Sequence, residues 1–200
     1  MKRSALVLAM LATAAFASPA FAQVPQITLG QPSYGGTGCP AGSVGVALAP
    51  DGSSLSLLFD QYIVEAGGTT GRSFDRKSCN ISIPVTVPQG LSVSIINVDY
   101  RGFNQLPAGA SSNFSVEYFF AGGRGPVFNR SFQGPLSSDY LIQNQLIGTA
   151  VVWSACGQDV LLRTNASMRV QTTQNQAALA TVDSEDVSAA IVYSLQWRQC

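Results

Sequence analysis

The 200-residue sequence contains no histidine. Without an imidazole, a chain cannot form a Ser-His-Asp triad, a Cys-His pair or the histidine ligands of most catalytic zinc sites. The absence therefore excludes hydrolases that work through those groups, and it excludes pH switching by histidine.

Charged residues are also scarce, since Asp, Glu, Lys and Arg together make up 11% of the chain. Eleven basic residues balance eleven acidic ones, so the formal net charge is zero. Two of the basic residues are Lys2 and Arg3, and removal of an N-terminal leader would leave a net charge of 9 − 11 = −2. A nucleic-acid-binding protein normally carries a basic stripe, so we expect no nucleic-acid partner.

The sequence lacks an apolar run of the roughly 20 residues that a membrane-spanning helix needs, and we expect no membrane partner. Residues 5–16 form a shorter apolar run behind Lys2 and Arg3, and Ala20-Phe21-Ala22 follows it. This arrangement predicts a secretory signal peptide at residues 1–22 and a mature chain that begins at Gln23. The protein is then secreted and extracellular, or periplasmic if the host is Gram-negative.

Four cysteines follow this leader, at Cys39, Cys79, Cys156 and Cys200. An even number of cysteines in an exported chain predicts two disulfides and no free thiol, which favours a monomer. Of the three possible pairings we favour Cys39–Cys79 and Cys156–Cys200, because each joins neighbouring strands within one half of the chain. The alternative is a four-thiolate zinc site, but the chain has no CxxC pair. We therefore expect no metal and no other cofactor.

Apolar and polar residues alternate with a period of two along most of the mature chain. In residues 79–87 one face carries Cys79, Ile81, Ile83, Val85 and Val87. Only residues 174–180 contain good helix formers, and that stretch is too short for a stable helix. The pattern predicts an all-β fold, a single antiparallel β-sandwich domain of jelly-roll or immunoglobulin-like type with about nine to eleven strands. We place this domain at residues 39–200, behind a loosely ordered, Gly/Pro-rich arm at residues 23–38.

Four local features refine this prediction. Residues 50–52, Pro-Asp-Gly, indicate a hairpin turn. The apolar phase shifts by one residue between Ile95 and Ile96, which indicates a β-bulge. Pro84 has no N–H for a ladder and favours an edge or bulged position. Trp197 shares the phase of the apolar residues before it, so we expect it in the core.

Several segments together resemble a known family. They are GCPAGS at residues 38–43, PDG at 50–52, FD at 59–60, RKSC at 76–79, VDYRGF at 98–103, WSACG at 153–157 and LQWRQC at 195–200. In this order, and with the four cysteines, they are similar to the secreted family labelled domain of unknown function 4360. The resemblance covers nearly all of the mature chain. It implies export, disulfides and one domain, and it implies no catalytic residue.

The polar cluster Asp99-Tyr100-Arg101-Gly102-Phe103 is the candidate ligand-binding site. Asp99 and Arg101 are two residues apart, so on a strand they share a face and can pair. One interpretation is a ligand-facing patch in which Tyr100 and Phe103 provide stacking platforms. The other is an ion pair at a strand end that fixes a turn.

Acidic side chains offer the remaining chemistry. A glycoside hydrolase needs two carboxylates about 5–10 Å apart, and the candidates are Asp60, Glu65, Asp99, Glu117 and Asp139. The acidic stretch at residues 183–186 is a candidate calcium loop, although it lacks the spacing of an EF-hand. An exported hydrolase of glycans is therefore the alternative function.

The sequence favours a secreted, disulfide-stabilised module without catalysis that binds an extracellular ligand, a glycan or a protein. Aromatic side chains outside the core would support this, and the candidates are Tyr62, Tyr100, Phe103 and Phe119. Four Asn-x-Ser sequons lie out of phase with the apolar residues and therefore face outward, at Asn80, Asn113, Asn129 and Asn165. A eukaryotic host would be able to glycosylate them.

Overall fold

The computed structural model describes residues 27–145, 153–173, 175–182 and 191–200. The predicted signal peptide and the acidic stretch at residues 183–186 lie outside these ranges. The strands are β1 (Thr28–Leu29), β2 (Ser33–Gly35), β3 (Val44–Leu48), β4 (Ser54–Phe59), β5 (Ile63–Ala66), β6 (Phe74–Thr86), β7 (Leu91–Leu106), β8 (Ala110–Phe120), β9 (Val127–Gln133), β10 (Leu136–Gln145), β11 (Val160–Thr172), β12 (Ala178–Thr181) and β13 (Ile191–Gln199). A 3-10 turn spans Gly68–Thr70. No helix in these ranges is long and apolar enough to cross a bilayer.

The strands form two antiparallel sheets. Sheet A has the order β1-β6-β11-β8-β9, and β2 also pairs with β6. Sheet B has the order β3-β4-β13-β7-β12-β5, and β10 pairs with β7. The predicted all-β sandwich is confirmed. Apart from the very short β1 and β2, eleven strands are described, which agrees with the predicted number.

The inward-facing side chains of the two sheets form one core. The ring of Tyr100 on β7 stacks on Phe128 with centroids 5.1 Å apart, and it meets the edge of Phe114 at 5.4 Å. The hydroxyl groups of Tyr193 on β13 and Thr164 on β11 lie 2.5 Å apart and share a hydrogen bond. These contacts join sheet B to sheet A.

The predicted hairpin and bulge are both present. Strands β3 and β4 pair across the turn at residues 50–52, where Gly52 has a φ of 66°. In the β7–β13 ladder, Ser194 lies opposite Asn97 whereas Leu195 lies opposite Ile95. One residue of β7 is therefore unmatched, which is a bulge at the predicted phase shift.

The prediction that Trp197 lies in the core is wrong. Its side chain is 37% exposed. Strand β4 begins at Ser54, which lies opposite Ser194. Beyond Ser194, β13 therefore has no β4 partner and forms the edge of sheet B. The indole packs against the β3–β4 turn instead. A Cβ placed on Gly52 would lie 3.3 Å from two ring carbons of Trp197. Trp197 therefore has the alternation phase of the core residues without being buried.

Both favoured disulfides are present, Cys39–Cys79 and Cys156–Cys200. The first is completely buried, and it fixes the segment before β3 to the middle of β6. The second is exposed and joins the last residue to the segment before β11. The backbone N–H of Cys200 also donates to the Gly90 carbonyl at 3.0 Å.

Residues 28–35 pair with β6 through the short strands β1 and β2, along the edge of β6 that lies away from β11. Pro84 lies between the two pairings, and its carbonyl accepts a hydrogen bond from the N–H of Gly30 at 2.8 Å. The backbone nitrogen of Pro84 therefore points toward β1 and β2 and away from β11. Its missing N–H interrupts no long ladder there. The domain boundary at residue 38 stays a prediction.

Candidate functional site

The predicted site residues on β7 point to two different sides of sheet B. Asp99, Arg101 and Phe103 face outward and are half-buried. Tyr100 faces inward and is completely buried. Tyr62, another aromatic expected outside the core, is only 1% exposed. The expectation that Tyr100 and Tyr62 lie outside the core is therefore wrong, and Tyr100 is not an exposed stacking platform.

Asp99 and Arg101 share a face, as their spacing requires, but they form no ion pair in the described structure. Asp99 instead accepts a hydrogen bond from the Asn97 side-chain amide at 2.9 Å. The Nε atom of Arg101 is buried and has no hydrogen-bond partner within the described ranges. The predicted strand-end ion pair is thus not seen, and a ligand role for Asp99, Arg101 and Phe103 stays a prediction.

Gly102 in the same cluster has a structural role. Tyr140 on β10 lies opposite Gly102, and its hydroxyl donates to the Thr181 carbonyl at 2.9 Å. A Cβ on Gly102 would lie 2.3 Å from both of those oxygen atoms. Glycine is therefore required here so that Tyr140 can cross β7 and reach β12.

A larger polar surface lies on the outer side of sheet A, and sequence reasoning did not recognise it as a candidate site. We call it the sheet A face and define it by thirteen polar outward residues in the central parts of four neighbouring strands. They are Arg76, Ser78, Asn80 and Ser82 on β6, Arg163, Asn165, Ser167 and Arg169 on β11, Asn113, Ser115 and Glu117 on β8, and Asn129 and Ser131 on β9. The four sequons were the available signal, because Asn and Ser two residues apart share a strand face. All four are here.

Strand register aligns these side chains in rows across sheet A. One row contains Asn80, Asn165 and Glu117, and the next contains Ser78, Ser167, Ser115 and Asn129. Directly opposed side chains have Cβ atoms about 4.5–5.5 Å apart, close enough for one ligand to contact several of them.

Two of the asparagines on this face are held by their neighbours. The Asn165 amide donates to Glu117 Oε2 at 3.3 Å. The Asn113 amide donates to Ser131 Oγ at 2.9 Å. These side chains are therefore oriented before any ligand arrives, which reduces the entropy that binding would cost.

An open groove of about 350 Å³ borders the sheet A face where β2 meets β6 and β11. Its lining residues are Ser33, Tyr34, Asn80, Ile81, Ser82, Arg163 and Asn165. Tyr34 lies opposite the buried Ile81 and packs against the core, and its hydroxyl accepts a hydrogen bond from the N–H of Gly42 at 2.6 Å. The groove therefore offers hydrogen-bonding groups from β2, β6 and β11.

Apolar side chains occur at the margins of the sheet A face. Phe74 is 48% exposed at the start of β6, and Val127 is 57% exposed on the last strand, β9. Leu161 lies near the start of β11, opposite Pro84. Phe119 on β8 also faces outward and is half-buried, opposite Arg163. The surface thus has a polar centre and a partly apolar margin.

The carboxylates proposed for glycoside hydrolysis are distributed over both sheets. Glu117 belongs to the sheet A face, whereas Glu65, Asp99 and Asp139 lie on β5, β7 and β10 of sheet B. Asp60 directly follows β4, outside the strands. No two of the carboxylates on these strands are register partners. Asp139 lies opposite Phe103, Asp99 lies opposite Gln143 and Val192, and Glu65 lies opposite Leu179. The described part of the chain also contains no group of three metal-ligating side chains.

Comparison with known proteins decides the family. The model of the family described as "Domain of unknown function (DUF4360)" matches residues 25–200. The chain belongs to this family. A relative from Arthroderma benhamiae, described as an "Uncharacterized secreted protein", is 34% identical over 170 residues, which are 84% of this chain and 69% of the relative. The predicted export of this DUF4360 protein is thereby confirmed.

One solved structure has a weak likeness to this fold. TmCBM61 in complex with beta-1,4-galactotriose is 10% identical to this chain, with a TM-score of 0.32 and coverage of 84% of this chain and 88% of that one. At so low a score the likeness carries no argument about a ligand.

Proposed function

We propose that this protein is a secreted binding module without catalysis that holds a glycan on the sheet A face. The observation that carries the proposal is the alignment of hydrogen-bonding side chains in rows across four neighbouring strands. The groove at the β2 side of this surface extends it with further polar groups.

The composition of the sheet A face supports a role in binding rather than in stability. Nine of its thirteen residues are asparagine or serine. Asparagine is depleted in strands, and serine competes for backbone hydrogen bonds, whereas threonine, valine and tyrosine stabilise an exposed sheet face. A local preference that is violated at so many adjacent positions is typical of a functional surface.

The chemistry of the surface favours a glycan over a protein partner. Amide and hydroxyl groups both donate and accept hydrogen bonds, as sugar hydroxyls do. A protein interface usually has a desolvated, apolar centre and a polar rim. The sheet A face has the opposite arrangement, with Phe74, Val127 and Leu161 at its margins.

The positions of the carboxylates support binding without hydrolysis. A glycosidase needs two carboxyl groups that flank one glycosidic bond. The sheet A face contains one carboxylate, Glu117, and this side chain already accepts a hydrogen bond from Asn165. A glycan on this surface is therefore held rather than cleaved.

The test is a glycan array followed by calorimetry, with protein from a bacterial host so that the sequons stay unmodified. We expect wild-type protein to bind, and we expect Ser167→Val to weaken binding at least tenfold without lowering Tm, since valine is the better strand former. Ser56→Val is the matched control, because Ser56 is a half-buried outward serine on β4 of sheet B.

Two results would overturn the proposal. One is an array on which the wild-type protein binds no glycan. The other is a Ser167→Val variant that binds as tightly as wild type while Arg101→Gln on sheet B abolishes binding. That second result would place the ligand on the outer side of β7.

A further inference from the structure

Two arginines of the sheet A face lie directly opposite each other. Arg76 on β6 and Arg169 on β11 are register partners, and both side chains are exposed on the same side of the sheet. Like charges in directly opposed positions destabilise an antiparallel pair. The fold therefore tolerates a repulsion that a glutamine at either position would remove.

No carboxylate neutralises this pair within the described residues. The next residues in the same row are Asn113 and Ser131, which are uncharged. Glu117 is four residues beyond Asn113 on β8, about 13 Å away. The neighbouring acid on β6, Asp75, pairs with Arg72 at 3.5 Å.

Charge is distributed unequally between the two outer sheet faces. The sheet A face carries three arginines against one glutamate. The outer side of sheet B carries three carboxylates, Glu65, Asp99 and Asp139, against Arg101 and Arg198. In a chain with a formal net charge of zero, this separation gives the sheet A face a positive field that attracts anions.

We propose that the ligand of the sheet A face is an acidic polysaccharide, and that Arg76 and Arg169 together bind one of its anionic groups. This inference rests on the proposed function. A guanidinium offers paired N–H donors that match the oxygens of a carboxylate or a sulfate ester. The hydroxyl of Ser131 and the amide of Asn113 lie in the same row and supply further polar contacts.

A third arginine indicates that the ligand is a polymer. Arg163 lies on the same strand as Arg169, six residues or about 20 Å away, and it lines the groove. Asn165 and Ser167 lie between the two arginines on the same face. A chain with repeated acidic groups contacts both ends of this stretch of β11, which a monosaccharide cannot reach.

The experiment compares polygalacturonate with its methyl ester, which keeps the sugar backbone and removes the charge. A parallel arm compares dextran sulfate with dextran, so that carboxylate and sulfate can be distinguished. We expect wild-type protein to bind at least one acidic polymer ten times more tightly than its neutral counterpart, and to lose this preference as salt is raised.

Arg76→Gln and Arg169→Gln should each weaken binding to the acidic polymer at least tenfold and leave binding to the neutral polymer unchanged. Arg124→Gln is the matched control, because it removes one exposed positive charge from the turn between β8 and β9. Its affinity should stay within twofold of wild type. Without ligand, Arg76→Gln should raise Tm, since it removes the cross-strand repulsion.

The outcomes separate the two proposals. Equal binding to acidic and neutral polymers, or an Arg124→Gln variant as weak as Arg76→Gln, would overturn the arginine site and leave the glycan module in place. Failure to bind any glycan, charged or neutral, would overturn the module and this inference with it.

Discussion

At the scale of single residues, Gly102 and Tyr140 show why a motif can look functional and yet serve the fold. Tyr140 crosses β7 only because Gly102 has no side chain, and its hydroxyl then reaches the Thr181 carbonyl. Tyr100, two residues earlier, packs against Phe114 and Phe128 in the core. Two of the five residues of this polar cluster are therefore explained by packing.

This arrangement predicts that Gly102→Ala destabilises the protein by about 1–3 kcal/mol, the usual cost of forcing an atom into a filled space. Thermal or urea unfolding measures the change. Gly45→Ala on β3 is the control, since the nearest atom to its Cβ would be 3.8 Å away, and we expect its stability to be unchanged or slightly raised. Equal stability of the two variants would contradict the role assigned to Gly102.

At the scale of strands and their connections, tertiary pairing overrides local preference in one segment. Residues 174–180 contain the best helix formers of the mature chain, yet Ala178–Thr181 form β12. This strand pairs with β5 on one side and β7 on the other, and Ala178 and Ala180 are buried. The backbone hydrogen bonds to two neighbours decide the conformation of so short a stretch.

The two disulfides each join separate segments of the chain, and they differ in exposure. Cys39–Cys79 is completely buried, whereas Cys156–Cys200 lies at the surface. A thiolate must reach a sulfur atom to reduce it, so we predict that a mild reductant opens Cys156–Cys200 first. Opening it should lower the free energy of unfolding by roughly 3–4 kcal/mol.

Thiol alkylation followed by mass spectrometry would identify the order of reduction. Deletion of Cys200 serves as the matched control, since it should lower stability by a similar amount and leave a reactive thiol at Cys156. Simultaneous labelling of all four cysteines, or first labelling of Cys39 and Cys79, would show that exposure does not set the order.

At the scale of the whole molecule, buried tyrosines hold the two sheets together. Burial raises the pKa of Tyr118 to about 12. Burial likewise raises the pKa of Tyr62, Tyr100 and Tyr193 above the ordinary value of 10.0. These hydroxyl groups keep their protons in the folded protein at a pH where the unfolded chain has lost them.

This linkage predicts a loss of stability in alkali. Between pH 10 and pH 12 the unfolded chain binds fewer protons than the folded protein, so the free energy of unfolding falls as pH rises. Below pH 10 the tyrosines contribute no such pH dependence. Urea unfolding from pH 8 to pH 12, with tyrosine ionisation followed by absorbance, measures the effect.

Tyr118→Phe provides the control for this prediction. The Tyr118 hydroxyl is buried without a hydrogen-bond partner in the described structure, so its removal leaves no other group unpaired. The variant should retain its stability at pH 8 and lose less stability than wild type above pH 10. Tyrosine ionisation that is complete near pH 10 in a protein that stays folded would refute the prediction.

The sequence by itself determined the fold class, the hairpin, the bulge position and the side of each strand that faces the core. These features are local, because alternation and turn chemistry act over a few residues. The pairing of the cysteines followed from the same local reasoning, since each bridge lies within one half of the chain.

The apolar alternation that includes Val98 and Tyr100 already indicates that Tyr100 faces the core. The polar residues beside it suggested a stacking platform instead. Only the tertiary structure decided which strands are neighbours and where a sheet ends. Trp197 is exposed because β4 begins only at Ser54 and pairs with β13 no further than Ser194. Arg76 meets Arg169 because β6 and β11 pair across more than ninety residues. Alternation assigns a residue to a face, but the neighbours on that face depend on pairings between distant segments.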